Sequence, residues 1–286
     1  MEKTVEGWGC GILGVIIFSG SMPATRAALA GFDPLFITAI RASLAGVAAL
    51  ILLLFFRQPR PTRADFISLI VVAAGVVLGF PLLSSMALCH INAAQSQIFI
   101  GMLPLATATF GVIRAGERPR FWFWLFAGLG SACVTFVALY HHMGLSREGV
   151  ALMLAAIIVC GLGYAEGGKL ARKLGGWQVI CWALVLALPL TLLLSGLNWP
   201  TTIMLATPSA WTGLFYVSFF SMLIGFMFWY RGLALAGITT VGQLQLFQPG
   251  LGLIASAMLL NEAVQPTLIL IIFSLMICVV GAKRFA

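Results

Sequence analysis

Ten apolar runs follow one another along the chain, and short polar interruptions separate them. Each run has about 17–23 residues, long enough for a helix to cross a hydrocarbon core of about 30 Å. The runs are apolar all round and lack the alternation of a membrane β-barrel, so they predict helices rather than strands. We place predicted spans one to ten at residues 8–30, 34–56, 66–87, 93–113, 121–141, 149–168, 177–196, 211–231, 239–260 and 265–282.

The composition excludes a water-soluble domain. Of 286 residues, 61% are hydrophobic and 8% are charged, with a mean hydropathy of +1.07. Soluble domains carry about 25% charged residues, and disordered, coiled-coil or nucleic-acid-binding chains need abundant charge or low hydrophobicity. The fold class is therefore predicted to be all-α, a polytopic membrane protein with the lipid bilayer as its surroundings and no nucleic-acid partner.

The basic residues predict the orientation. With the N-terminus inside, 13 of the 16 Lys and Arg residues fall on the inner side. This asymmetry predicts cytoplasmic termini and a multi-pass protein of the bacterial inner (plasma) membrane. The first run is interpreted as a retained helix, because Glu2 and Glu6 offset Lys3 and no basic signal-peptide region precedes it. The tryptophans near predicted span ends are typical of interfacial anchors: Trp8, Trp122, Trp124, Trp177, Trp199, Trp211 and Trp229.

The two halves of the chain share a pattern. Pro104 lies 13 residues before Glu117, and Pro249 lies 13 residues before Glu262, so one offset of 145 aligns both pairs. This indicates two five-span repeats, residues 1–142 and 149–286. Because five is odd, the second repeat must cross the membrane in the opposite sense to the first, which is typical of transporters with inverted repeats.

These features together resemble the EamA-type ten-helix exporters of the drug/metabolite transporter superfamily. The resemblance rests on Pro104…Gly-Glu117-Arg118, echoed by Pro249…Asn261-Glu262, and it covers essentially the whole chain. Asn261 departs from the glycine that is usual there. Among these exporters the chain is most similar to bacterial aromatic amino-acid exporters. The resemblance implies a secondary transporter that exports amino acids or related small metabolites by alternating access.

Prolines within the spans are candidate hinges. A proline removes one helix hydrogen bond and favours a kink. Pro104 and Pro249 free the carbonyl groups of Ile100 and Gln245 at repeat-related positions near the predicted midplane. Such carbonyl groups bind a substrate ammonium or allow half of a helix to move; the alternative is a static kink satisfied by neighbouring groups. The candidate hinges are Pro104, Pro249, Pro23 and Pro81, and Pro189 also lies within a span.

Side-chain amides in spans four and nine are the first candidate binding groups. An amide facing lipid would lack a partner, so these side chains are expected to face a cavity or another helix. Neutral amides suit a zwitterion, since they donate to a carboxylate and accept from an ammonium. The candidates are Gln97, Gln245, Gln248 and Gln243, with Gln95 weighed beside them.

A second set of candidates would give a cavity aromatic and polar walls, as an aromatic substrate requires. Ordinary packing, membrane anchoring or a loop position is the alternative for each. The set comprises Phe80, Ser84 and His90 along span three, Tyr164 in span six, and Trp229 with Tyr230 in span eight.

Carboxylates are absent from the predicted span centres. Glu166 lies toward the inner end of span six and is expected to pair with Lys169. Proton-coupled efflux usually uses a membrane carboxylate, so a facilitator or exchanger is favoured. Arg26 and Arg41 are candidates for binding a substrate carboxylate or for gating, with snorkelling to the outer surface as the alternative.

The alternatives differ in the groups that they require. Proton-coupled drug efflux needs a buried acid, and nucleotide-sugar efflux needs several basic groups in the cavity. A membrane-embedded enzyme needs paired catalytic groups, and His141 and His142 have no evident carboxylate partner. The sequence therefore predicts no enzyme, no cofactor, no metal site and no catalytic residue. Small residues at four-residue spacing, such as Gly7 and Gly11, predict close helix packing, with a homodimer as one use.

Overall fold

The computed structural model describes residues 2–118, 121–122, 124–126, 128–129, 146–201, 203–260, 273 and 277. Within these residues, eight helical segments are long and apolar enough to cross a membrane. They correspond to predicted spans one to four and six to nine, whose numbers we keep. Predicted spans five and ten, with His141 and His142, lie mostly outside the described residues. The eight segments are Glu2–Ala28, Pro34–Phe55, Arg63–Ala87, Ala93–Ala115, Arg147–Leu174, Gly176–Leu197, Pro208–Ala236 and Ile238–Leu260.

Polar residues and a glycine lie at the helix termini, where the sequence changes from apolar to polar. The Asp33 side chain accepts a hydrogen bond from the N–H of Leu35 at 2.8 Å and begins span two. Asn92 and Gln95 bond each other's backbone N–H groups reciprocally at the start of span four. Gly116 follows span four with φ +70°, a conformation that favours glycine. The Gln95 side chain therefore takes part in capping the start of span four.

Helix interruptions accompany the predicted hinge prolines in spans one and four. Gly20 separates the two pieces of span one, and Pro23 lies in the first turn of the second piece. In span four, Gly101 and Met102 separate two helices, and Pro104 lies in the first turn of the second one. A proline lacks the N–H that a first turn leaves unused, so it fits the start of a helix better than its middle. The four pieces are Glu2–Ser19, Ser21–Ala28, Ala93–Ile100 and Leu103–Ala115.

Spans three and eight each contain a π-helix. Ala73–Gly79 joins two α-helical pieces, the second of which has Pro81 in its first turn. Tyr216–Gly225 joins the two pieces of span eight. Adding the offset of 145 to residues 73–79 gives 218–224, which lie inside the second π-helix. The α-helical pieces are Arg63–Val72, Phe80–Ala87, Pro208–Phe215 and Phe226–Ala236.

Span nine changes helix type before its proline. A short α-helix, Ile238–Gly242, leads into a 3₁₀ turn at Gln243–Leu246, and Pro249 is the third residue of the helix Phe247–Leu260. Spans two, six and seven are continuous α-helices, and Pro189 is accommodated inside span seven. A 3₁₀ turn at Ile203–Leu205 precedes span eight. Irregular backbone thus lies in spans one, three, four, eight and nine.

The described spans pack in pairs that join the two halves of the chain. Span one packs on span eight, span two on span seven, span three on span six, and span four on span nine. Small residues allow these approaches: a Cβ added to Gly7 would lie 2.8 Å from the Cβ of Ala236, and one added to Gly75 would lie 2.6 Å from the carbonyl oxygen of Val159. These glycines are therefore used for packing within the chain.

Spans four and nine cross at two related points. The Gln97 side chain lies against Gly252, where an added Cβ would be 2.4 Å from the amide carbon. Thr107 lies against Gly242, with 3.4 Å from an added Cβ to the methyl carbon. Adding 145 to 97 gives 242, and adding 145 to 107 gives 252. The two contacts therefore have the same offset as the sequence pattern.

Candidate functional site

Three side-chain amides lie in the interior without their full set of hydrogen bonds. Gln97, Gln245 and Gln248 are each at least 95% buried. Within the described part of the chain, both polar atoms of Gln97 and of Gln245 lack a hydrogen-bond partner, as does the Oε1 of Gln248. Native proteins rarely leave buried polar atoms unpaired, so such a group marks a place for water or a ligand. The three amides form the polar part of the candidate site.

Aromatic rings form the adjoining wall. Tyr164 of span six and Trp229 of span eight have ring centroids 5.4 Å apart. Phe18 of span one lies 6.1 Å from Trp229 and 4.9 Å from Phe226. All four side chains are buried, and Trp229 is 0% exposed with its indole N–H unpaired. Trp229 is therefore not an interfacial anchor, and that interpretation of its position is wrong.

Contacts connect the amides to this wall. The Gln248 Nε2 donates to the carbonyl oxygen of Phe18 at a long 3.5 Å. The Gln245 amide lies near the Tyr164 hydroxyl without good hydrogen-bond geometry. Gln97 reaches the same region through its contact with Gly252, one turn beyond Gln248. We call these groups the amide–aromatic site: Gln97, Gln245, Gln248, Phe18, Tyr164, Phe226 and Trp229.

The structure places the other predicted residues differently. The His90 ring lies in the loop after span three, part exposed and 3.6 Å from the Glu148 carboxylate. The Ser84 hydroxyl donates to the carbonyl oxygen of Phe80 in its own helix at 2.6 Å, while Phe80 itself is partly buried against the core. Gln243 is buried in the 3₁₀ turn of span nine. No contact described here links these four residues to the amide–aromatic site.

Arg26 and Arg41 differ in environment. Arg26, near the end of span one, is partly buried and donates to the carbonyl oxygen of Leu88. Arg41 is 5% exposed, and its NH2 donates to the Ser221 hydroxyl at 3.4 Å, while its Nε has no hydrogen-bond partner among the residues that the structure describes. Snorkelling to the surface, the alternative considered for both, therefore does not describe Arg41.

Ion pairs between the two halves gather at the end of the bundle where span one begins, which we call the N face. The pairs join Glu6 with Arg231, Asp65 with Lys173 at 2.7 Å, Glu117 with Arg172 at 2.8 Å, and Arg114 with Glu166 at 2.7 Å. Every Lys or Arg pair with a carboxylate in the described part of the chain has one partner in each half. At the N face, the two halves are therefore joined by ion pairs.

Glu166 has a different partner from the expected one. The expectation from sequence was Lys169, three residues along the same helix. The Glu166 side chain is 1% exposed and instead forms an ion pair with the Arg114 Nε. It also accepts a hydrogen bond from the Ser68 hydroxyl at 2.6 Å. Tertiary packing brings span four against span six, so a residue 52 positions away supplies the closer cation.

Glu117 binds the first residues of span nine. Its carboxylate accepts the backbone N–H of Ile238 at 2.9 Å and that of Thr239 at 2.7 Å, together with the Thr239 hydroxyl. These N–H groups have no partner inside the helix, so the carboxylate caps it. Burial alone would raise the pKa of Glu117, but the bonds from Thr239, Ile238 and Arg172 outweigh burial and hold that pKa below its ordinary value.

Sequence reasoning missed several of these groups. Phe18 and Phe226 are two of 21 phenylalanines in spans that are apolar all round, so no periodicity distinguishes their inward faces. The capping role of Glu117 joins residues 121 positions apart. The Pro-to-Glu spacing that the two halves share does single out Glu117, but it does not reveal the partner of Glu117.

A crevice of about 510 Å³ has a lining that includes no residue of the amide–aromatic site. It lies between spans one, eight and nine, and its lining includes Gly20, Pro23, Tyr216 and Leu251. The Tyr216 hydroxyl donates to the carbonyl oxygen of Ile17 at 2.7 Å, next to the break in span one. In the region that the structure describes, no group of three or more His, Cys, Asp or Glu side chains could hold a metal ion.

Comparisons with known proteins agree with this architecture. A family model described as the EamA-like transporter family matches residues 7–139 and 147–282. The chain is 56% identical over 286 residues to the protein named "Uncharacterized transporter YdeK" of Bacillus subtilis (strain 168), covering 100% of each chain. A solved crystal structure superposes with a TM-score of 0.70 at 16% identity, covering 100% of this chain and 98% of that one. The last likeness concerns the fold alone.

Proposed function

The chain belongs to the EamA-like transporter family, and from this premise we propose that it exports neutral amino acids, chiefly aromatic ones, and related small metabolites. The family and the relative from Bacillus subtilis indicate a transporter rather than an enzyme. Substrate class, mechanism and energy coupling are the proposed parts.

The amide–aromatic site carries the proposal. Gln97, Gln245 and Gln248 offer both donors and acceptors, and a zwitterion needs donors for its carboxylate and acceptors for its ammonium. Rings of Tyr164 and Trp229 suit an aromatic or apolar side chain. A neutral amide binds a charged group less tightly than an opposite charge does, which favours release of the substrate.

Alternating access is proposed from the way the halves meet. We propose that residues 1–142 and 149–286 form two inverted five-helix repeats. The span pairs and the paired contacts of spans four and nine, offset by 145, support this arrangement. We take the N face as cytoplasmic, with both termini there and the protein in the bacterial inner membrane. Its ion pairs would then close the inner gate, and the breaks at Pro23, Pro81, Pro104 and Pro249 would let helix ends move.

A facilitator or exchanger mechanism is proposed for energy coupling. Within the described spans, the buried carboxylates Asp65 and Glu166 lie at the N face and are already bound to Lys173 and Arg114. Neither therefore lies free near the span centres, where a proton and a substrate would compete for it. We also propose a homodimer as an assembly open to the transporter.

Counterflow in proteoliposomes tests the proposal. Liposomes that contain the purified protein are loaded with unlabelled substrate. Uptake of labelled phenylalanine, methionine, threonine or a cationic drug into them is then measured. We expect amino-acid uptake above that of empty liposomes, with phenylalanine fastest, and little change when the pH gradient is collapsed. Uptake of the drug alone, or strict dependence on a pH gradient, would favour proton-coupled drug efflux and overturn the proposal.

A matched pair of variants separates the site from general effects. Gln245→Ala removes an unpaired amide of the site, and we expect at least about tenfold slower counterflow of phenylalanine. Gln178→Ala removes the amide that donates to Gln58 at 3.2 Å, away from the amide–aromatic site, and should transport normally. Equal transport by both variants would remove Gln245 from the site.

A further inference from the structure

Arg41 is a buried cation that has no carboxylate partner among the residues described by the structure. It is the eighth residue of Pro34–Phe55, so it lies about 10 Å along span two from the face opposite the N face. Seven of the chain's eight carboxylates lie within the described residues, and none of these forms an ion pair with Arg41. The seven are Glu2, Glu6, Asp33, Asp65, Glu117, Glu148 and Glu166.

A guanidinium in this position is costly to the fold. Charged side chains inside a membrane protein are normally paired, or they face a water-filled or ligand-filled cavity. Arg41 has one long bond, 3.4 Å to the Ser221 hydroxyl, and an Nε without a partner. An arginine presents several donors in a fixed planar fork that matches a carboxylate. The missing partner therefore has the chemistry of a small anion.

Two hydroxyls complete the surroundings of Arg41. Ser221 lies in the π-helix of span eight, and its hydroxyl is 2.8 Å from that of Ser21. Ser21 directly follows Gly20, the break in span one. All three side chains are at least 94% buried. Irregular backbone deep in a membrane protein is tolerated where it lines a cavity or a site, and two such irregularities meet at Arg41.

This group lies next to the amide–aromatic site. The carbonyl oxygen of Phe18 accepts a hydrogen bond from the Gln248 amide, and the Phe18 ring packs on Trp229. Ser21 is three residues further along span one. The hydroxyl pair is therefore about one helical turn, some 5 Å, further from the N face than the Phe18 carbonyl. A displacement of this size is within the length of one aromatic amino acid.

We propose that Arg41, with Ser221 and Ser21, forms a carboxylate subsite that extends the amide–aromatic site and selects substrates with a free carboxyl group. The inference rests on the proposed export function for its physiological meaning, because the anion is taken to be one end of the exported molecule. The amides then bind the ammonium end, and the rings enclose the side chain.

Binding of two probes in nanodiscs tests this subsite. L-phenylalanine and L-phenylalaninamide share a ring and an amino group, but only the first has a carboxylate. We expect phenylalanine to raise the unfolding temperature of the wild type, and the amide to do so much less. Arg41→Gln should weaken the apparent phenylalanine affinity by about tenfold or more and abolish the discrimination, and Arg41→Lys should restore part of both.

Stability without ligand separates this role from a structural one. Removing an unpaired buried charge relieves a cost, so Arg41→Gln should unfold at the same or a higher temperature than the wild type. A lower unfolding temperature together with retained discrimination would overturn the proposal. So would the absence of any stabilisation of the wild type by phenylalanine.

Matched controls come from the same face and the same helix. Arg147→Gln removes an exposed charge at the start of span six and should keep the discrimination. Ser221→Ala should weaken phenylalanine binding, whereas Ser218→Ala should not, because its hydroxyl already donates to the carbonyl oxygen of Leu214 at 2.7 Å. Binding without counterflow would refute the export function and leave the subsite standing. Counterflow with an unchanged apparent affinity in Arg41→Gln would refute the subsite alone.

Discussion

Replacing Glu117 with alanine should weaken the contacts between the halves at the N face measurably. The substitution leaves the N–H groups of Ile238 and Thr239 uncapped and the Arg172 guanidinium without its carboxylate. Loss of a helix cap costs about 1 kcal/mol, and a half-exposed ion pair adds less than about 1 kcal/mol. We therefore expect a destabilisation of about 1–2 kcal/mol, which corresponds to a decrease of about 2–8 °C in unfolding temperature by the scaling for soluble domains.

The assay is thermal unfolding in detergent, compared with a control of the same charge change. Glu148→Ala removes a carboxylate that is 76% exposed and 3.6 Å from His90, and its unfolding temperature should stay close to that of the wild type. An unfolding temperature of Glu117→Ala that matches Glu148→Ala would refute the capping role. Accessibility of a cysteine introduced at the N face should rise in Glu117→Ala as well, since the gate opens more often.

The pH dependence follows from the direction of the pKa shift. The folded protein holds the pKa of Glu117 below its ordinary value, so its carboxylate contributes stability above the unfolded pKa of about 4.3. That contribution is lost as the pH falls through the lower, folded pKa. The difference between wild type and Glu117→Ala should therefore be constant from pH 7 to pH 5 and shrink below about pH 4. A difference that disappears already at pH 6 would show that another group is responsible.

Two further substitutions test the packing at Gly252 and the ion pair of the buried Glu166 carboxylate with Arg114. Gly252→Ala places a Cβ 2.4 Å from the Gln97 amide carbon and should raise the apparent KM for phenylalanine counterflow severalfold, whereas Gly9→Ala meets no atom within 4 Å and should not. An unchanged KM in Gly252→Ala would show that Gln97 can move without consequence. Glu166→Gln leaves the part-exposed Arg114 guanidinium without its carboxylate and should cost about 1 kcal/mol of stability, part of which Arg114→Gln restores. Additive effects in the double variant would exclude coupling between the two.

The apolar runs predicted the eight described spans, because length and hydropathy suffice to identify a membrane helix. They could not predict which face points inward. Trp229 was placed near a span end and is wholly buried, and His90 was a candidate for the site but lies in a loop. Helices surrounded by lipid are apolar outside as well as inside, so the periodicity that orients a soluble helix is missing.

Polar residues were better guides than apolar ones. Gln97, Gln245 and Gln248 were expected to face inward because lipid cannot satisfy an amide, and all three do. Partners distant in sequence could not be inferred in this way. Glu166 pairs with Arg114 rather than with Lys169 because helix packing, which sequence spacing does not reveal, decides the nearest cation.

The pairing of spans across the two halves has a consequence for biosynthesis. Span one finishes its packing only when span eight, about 200 residues later in the chain, has entered the membrane. At 5–20 residues per second, the ribosome needs about 10–40 s to make that stretch. During this interval the Arg41 guanidinium and the Gln97 amide must reside in the membrane before their surroundings exist. The newly made first half is therefore expected to depend on the insertion machinery or a membrane chaperone to shield these groups until the second half arrives.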